Sequence, residues 1–149
     1  MAIRKIRIEG DPILRKKCRT VEKVDARIKT LLEDMAETMK HAEGVGLAAP
    51  QVGVLRTVII VDTGEGLIEL INPQLLEAKG KEIGAEGCLS IPGKSGDVER
   101  PAWVRVKGLN RKGEEVEVEG EGMLARALCH EIDHLDGILF VDRMLREGR

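Results

Sequence analysis

His130-Glu131-Ile132-Asp133-His134 has the residue types and the spacing to hold a metal ion and use it. The surrounding stretch, from about 122 to 135, carries Met123, Leu124, Ala127 and Leu128 on one side of a helical period. On a helix, residues four apart lie about 40° apart around the axis and one turn above each other, so both imidazoles can reach one ion. Glu131 is turned about 100° from His130, which places it beside the ion rather than on the ligand stripe. Two neutral nitrogens plus a carboxylate that moves protons is the equipment of metal-assisted hydrolysis. The only other histidine, His41, falls in the last turn of an earlier helix, where a cation suits the dipole, and is assigned no chemistry.

A catalytic site takes three protein ligands and keeps one position for water. No histidine follows His134, so the third ligand must come from another element. Cys88 is the best candidate, because it lies in the glycine-flanked stretch Glu86-Gly87-Cys88-Leu89-Ser90 between sheet elements. Cys18 reads as core filler. Cys129 adjoins His130 but points about 100° away from it, so it reads as core or pocket wall. Two rival readings share the helix motif. A zincin-type endopeptidase needs a further ligand downstream, and Glu147 is the only acid after Asp142. A structural metal site in a binding module is closed by four ligands. Cys129 would have to be the fourth, and Glu131 would then have no purpose.

The elements that must position these residues follow from pattern. Asp11 and Pro12 start a short helix, and Asp25 caps a long one whose Ile28, Leu31, Leu32, Met35 and Met39 form one apolar stripe ending by Gly44. Residues 44–53 are too rich in glycine for a helix and read as a tight connection packed under a neighbour. Strands are expected at 57–61, at 67–71 with a break at Asn72-Pro73, and within 75–85. Residues 91–96 read as a loop, and 103–106 with 116–119 as a hairpin about Asn110-Arg111-Lys112-Gly113. Gly137 ends the second long helix, 138–141 reads as a short strand, and a few helical residues complete the chain. This order predicts an α+β fold, with mainly antiparallel sheets packed around the central helix that bears the two histidines.

The chain's 149 residues suit a single catalytic domain spanning 1–149. A net charge of -2 implies no bulk attraction to nucleic acid or membrane. Trp103 and Phe140 are the only aromatics, so base-stacking platforms are lacking, and no nucleic-acid motif is present. No apolar run approaches the roughly 18 residues of a membrane span. The start, Met1-Ala-Ile-Arg-Lys-Ile, has no apolar signal region, and three cysteines make no even disulfide framework. The expected setting is the reducing cytoplasm.

Three stretches together resemble the motifs of the peptide deformylase family, in the same order. They are Gly44-Val45-Gly46-Leu47-Ala48-Ala49-Pro50-Gln51, Glu86-Gly87-Cys88-Leu89-Ser90 and His130-Glu131-Ile132-Asp133-His134. The resemblance takes in the Asp-Pro-Ile-Leu-Arg start and the Leu-Asp-Gly-Ile-Leu-Phe stretch, and the compact Glu-Gly-Cys-Leu-Ser-Ile-Pro-Gly run is similar to the bacterial type I form. It implies removal of the formyl group from the N-terminal methionine of new polypeptides. Cys88, His130 and His134 would hold one divalent ion, Fe²⁺ in the cell, with Zn²⁺, Ni²⁺ or Co²⁺ as replacements. Glu131 would move the proton, and the Gln51 side-chain amide and the Leu89 backbone N–H would steady the oxyanion. Gly44, Val45 and Gly46 would receive the peptide as an added strand, with Val45, Met123 and Ala127 walling the methionine pocket. Asp133 is not counted as a ligand and is left to orient a neighbour or cap a surface. The partners implied are nascent N-formylmethionyl polypeptides, with a transient ribosome contact. The chain departs from longer members in stopping soon after Met144, where they carry a further helix.

Overall fold

The computed structural model describes residues 2–145. Glu147 and the helical residues expected at the end of the chain lie outside the described residues.

A 3-10 turn at Pro12–Arg15, capped by Asp11, precedes the first long helix, α1 (Ala26–His41). The Asp25 carboxylate accepts from the Ile28 N–H at 3.1 Å, satisfying one of the first-turn donors that a helix leaves unpaired. Then come β1 (Gly46–Ala48), a 3-10 turn at Ala49–Val52, and β2 (Val58–Val61). Next are β3 (Ile68–Lys79), β4 (Glu82–Cys88), β5 (Ile91–Arg100), β6 (Trp103–Leu109) and β7 (Glu115–Glu121). The second long helix, α2 (Met123–Leu135), and a 3-10 turn at Phe140–Asp142 complete the described chain.

The fold is α+β. Five strands form one antiparallel sheet in the order β1-β2-β3-β6-β7, and β4 pairs with β5 in a separate ribbon. The uniformly apolar run of β2 explains the layering. Successive side chains of a strand point to opposite faces. Val58 and Ile60 pack with Leu31, Leu32 and Met35 of α1, while Ile59 and Val61 pack with Leu128 of α2. The helices therefore cover the two faces of the sheet, and α2 also meets the ribbon strand β5. A third cluster of Leu14, Ile91, Val98, Leu139 and Phe140 fills the space under the ribbon. No helix among the described residues is long and apolar enough to cross a membrane.

Four local expectations change. Residues 44–53 are not a plain connection, because Gly46–Ala48 pairs with β2 as the edge strand β1 and Ala49–Val52 forms a 3-10 turn. The strand through 67–71 does not break at Asn72-Pro73 but continues to Lys79, with a register shift between Ile71 and Gln74. Asn72 adopts φ 53°, and its side chain accepts from Val21 N at 2.9 Å and donates to Val21 O at 2.8 Å. Pro73, with no N–H to offer, sits where the ladder is already interrupted. Residues 91–96 are not a loop. They belong to β5, where Pro92 and Gly93 are taken up in the register shift between Gly87 and Cys88. Residues 138–141 are not a strand, because the Asp142 carboxylate accepts from Leu139 N at 3.0 Å and closes a 3-10 turn instead.

Candidate active site

Helix α2 buries its histidine side toward the ribbon, and the β4–β5 turn brings Cys88 to meet it. One donor atom from each of Cys88, His130 and His134 lies within 4.8 Å of the other two. The Cys88 Sγ is 3.4 Å from His134 Nε2. His130 Nδ1 is 2.9 Å from Glu86 Oε1, and an ionised carboxylate can only accept. Nδ1 therefore carries the hydrogen and Nε2 is left to serve as a donor atom. A ring nitrogen fixed by a carboxylate on its far side is the arrangement that metal-ligating histidines favour. The donor set of one sulfur and two imidazoles suits a borderline divalent ion.

The two rings titrate in opposite directions. Burial works against charge on His130, but the Glu131 charge and hydrogen bonds to Cys88 and Glu86 outweigh it and hold its proton up to about 10. Burial, with the His130 charge, pushes His134 down to about 3.

Glu131 is buried, and its Oε1 has no hydrogen-bond partner among the described residues. Burial pushes its carboxyl up to about 7, with the His130 charge pulling the other way and Glu86 adding to the rise. A dication in the cluster would draw that value back down. The carboxylate rests against Gly46 of β1, where any Cβ would run into Glu131 Oε2. Gln51 is held with its amide aimed at the cluster. Its Oε1 accepts from Ala48 N at 2.9 Å, and its Nε2 donates to Ser90 Oγ at 3.0 Å and lies 3.5 Å from Cys88 Sγ. Leu89 comes directly after Cys88 in the ribbon turn, and its side chain fills the space beside Gly44.

These groups open onto a cleft of about 440 Å³. Its lining includes Gly44, Val45, Gly46, Gln51, Cys88 and Leu89 from one side and Met123, Ala127, His130 and Glu131 from α2. Of the site residues expected from sequence, only the fully buried His134 is not on the cleft wall. The strand β1 is at the edge of its sheet, paired on one side with β2 alone. Cys18 is core, as expected, and burial pushes its thiol up to about 11. Cys129 is partly buried and packs with the α2 core rather than joining the donor cluster.

Sequence reasoning missed the ion network behind His130. Arg100 Nε and Nη2 donate to the two Glu86 oxygens at 2.8 and 2.9 Å, and Arg126 Nη1 donates to Glu86 Oε2 at 2.8 Å. One signal was available: Arg126 lies four residues before His130, on the same inward stripe, where an unpaired cation would be costly. Burial raises the Glu86 carboxyl, but the Arg100 and His130 hydrogen bonds overcome it and hold it at about 2. A value below the ordinary 4.5 means that ionised Glu86 stabilises the fold above pH 4.5, and that this contribution fades as pH falls toward 2. In the metal-free protein, Glu86→Gln is expected to flatten this acid loss in a series of thermal melts. It should also destabilise the neutral protein by about 3–5 kcal/mol, because two buried guanidinium groups lose their shared anion.

A model of the polypeptide deformylase family matches residues 3–149. The chain belongs to the polypeptide deformylase family. The peptide deformylase of Alkaliphilus metalliredigens is 63% identical over 147 residues, covering 99% of this chain and 100% of that one. The crystal structure of the peptide deformylase from Thermotoga maritima matches with a TM-score of 0.95 at 45% identity, over 98% of this chain and 100% of that one. A peptide deformylase from Synechococcus elongatus, solved in complex with actinonin, matches with a TM-score of 0.92 at 40% identity, over 95% of this chain and 79% of that one. The activity of the chain is that of the deformylase family, the metal-dependent removal of the N-formyl group from nascent polypeptides. All three deformylase motifs noted in the sequence meet at the cleft.

Proposed function

We propose that Cys88, His130 and His134 hold the metal of this reaction, that Glu131 moves its proton, and that β1 receives the formyl-methionyl peptide. The observation that carries this reading is the convergence of one sulfur and two ring nitrogens within 4.8 Å, with Glu131 one residue along the same helix. When bound, a divalent ion would supply a Lewis acid that acidifies water and draws charge from a carbonyl oxygen. A peptide added in extended form beside Gly44, Val45 and Gly46 bonds through main-chain groups, which tolerates many sequences after the methionine. Its first side chain enters the apolar part of the cleft between Val45, Met123 and Ala127.

Glu131 takes a proton from the attacking water as the water oxygen bonds to the formyl carbon. It passes that proton to the nitrogen as the C–N bond breaks, leaving formate and a free amine. The carbonyl oxygen that gains charge on attack is met by the Gln51 Nε2–H and the Leu89 N–H, and one such donor is worth about 3 kcal/mol of barrier.

A thiolate among the ligands favours Fe²⁺ or Zn²⁺ over harder ions. We take Fe²⁺ as the ion used in the cell, with Zn²⁺, Ni²⁺ and Co²⁺ able to replace it. The substrate, a chain under synthesis, puts the reaction in the cytoplasm in transient contact with the ribosome. The test is formate release from formyl-Met peptides beside acetyl-Met controls, run with and without air. Formate from the first alone, with a rate that decays in air and persists under anaerobic conditions, is the expected result. Acetate release, or a rate indifferent to air in protein purified with its own metal, would remove the specificity or the iron assignment respectively.

A further inference from the structure

Asp133 stands between two arginines. Its Oδ2 accepts from Arg100 Nη1 at 2.7 Å, and its two oxygens accept from Arg143 Nε and Nη2 at 2.6 and 3.0 Å. Arg100 turns its other two nitrogens to Glu86, whose Oε1 meets His130 Nδ1. Four links thus run from the end of the described chain to one ring of the donor cluster. Glu86 and Arg100 are each 4% exposed and Asp133 13%, whereas Arg143 is 46% exposed. The next two residues, Met144 and Leu145, hold Arg143 in place. Leu145 N donates to Asp97 O at 2.8 Å, Met144 bridges to Val98, and the Met144 side chain packs over Gly96.

We propose that Asp133 and Arg143 are positioning residues for the metal centre, acting through the way Arg100 is shared between Glu86 and Asp133. Buried hydrogen-bonded ions polarise one another, so charge withdrawn at one link is felt at the next. Arg143 satisfies part of the Asp133 charge and so leaves Arg100 to Glu86. Without Arg143, Asp133 pulls harder on Arg100, and Glu86 presents more negative charge to the His130 N–H. A stronger acceptor there makes the imidazole a better ligand. Without the Asp133 charge, Arg100 belongs to Glu86 alone and His130 becomes a poorer ligand. The inference rests on the ligand set proposed above.

The test is the affinity for Co²⁺, read by competition with a chelator, in the wild type, Asp133→Asn, Arg143→Gln and the double variant. Asp133→Asn should weaken binding about tenfold. Arg143→Gln should tighten it several-fold in the wild-type background and change nothing in the Asp133→Asn background. That dependence separates relay through Asp133 from simple charge repulsion, which would add in both backgrounds. Arg143 is half exposed, so its substitution leaves the fold intact and can be read even where Asp133→Asn is destabilised. Arg143→Lys, which keeps the charge but not the two-pronged contact, should lie between Arg143→Gln and the wild type. An Arg143→Gln effect that persists without Asp133, or affinities that do not move while melting temperatures fall, would overturn the proposal. A wild-type cobalt form without a thiolate-to-metal absorption band would overturn the ligand set itself, and is read separately.

Discussion

Glu131→Gln is expected to keep its metal and to release formate about 10²–10⁴-fold more slowly than the wild type. The amide has the shape of the carboxylate, so the buried space beside Gly46 stays filled. It cannot accept a proton, and of the two other carboxylates on the cleft wall Glu43 is exposed. Glu86 lines the cleft, but its oxygens are engaged by Arg100, Arg126 and His130. Burial pushes the Glu131 carboxyl above the ordinary glutamate range, and a bound dication would bring it back down. Its Oε1 has no competing partner among the described residues. Metal content and formate release measured on the same sample would check this. A variant that retains both would take Glu131 out of the reaction.

Cys88→Ser is expected to lose its metal on dialysis, and formate release with it. A serine hydroxyl is harder than a thiolate and stays protonated at neutral pH, so it offers no anion to a borderline ion. The cost should exceed the about 10- to 100-fold that loss of an outer hydrogen-bond partner takes from metal affinity. The two histidines remain, and the Glu86 contact that orients His130 does not pass through Cys88. The loss can therefore be assigned to the sulfur. Full occupancy and rate in this variant would mean that another group completes the set. Metal analysis after exhaustive dialysis beside the wild type gives the answer.

The parts of the fold that were legible are those whose burial has a period. α1 and α2 show helical stripes, and β2 is apolar throughout because helices cover both of its faces. The segments that were misread are those where turn residues serve another purpose. Asn72 and Pro73 look like a stop, yet the Asn72 side chain satisfies the Val21 backbone and lets β3 bend and continue. Pro92, Gly93 and Gly96 look like a loop, yet they lie in a ribbon strand whose outward face has little apolar pattern to display. Residues 138–141 are too few to show any period, and a single carboxylate decided their shape. The helix pair His130 and His134 was readable from spacing alone. The approach of Cys88 was only a candidate until tertiary structure brought the ribbon over α2. Of the two arginines that meet Glu86, Arg126 is marked by its place on the α2 stripe, whereas nothing local marks Arg100 among 24 lysines and arginines.

At Gly46, the edge strand that would hold the peptide and the carboxylate that would carry the proton touch through a side chain that is missing. Any sideways drift of that strand would therefore reach that carboxylate with no soft layer to absorb it. If the proposed roles hold, seating a substrate and aiming the proton acceptor are one mechanical event, and a single methyl group at this position would push the carboxylate out of place.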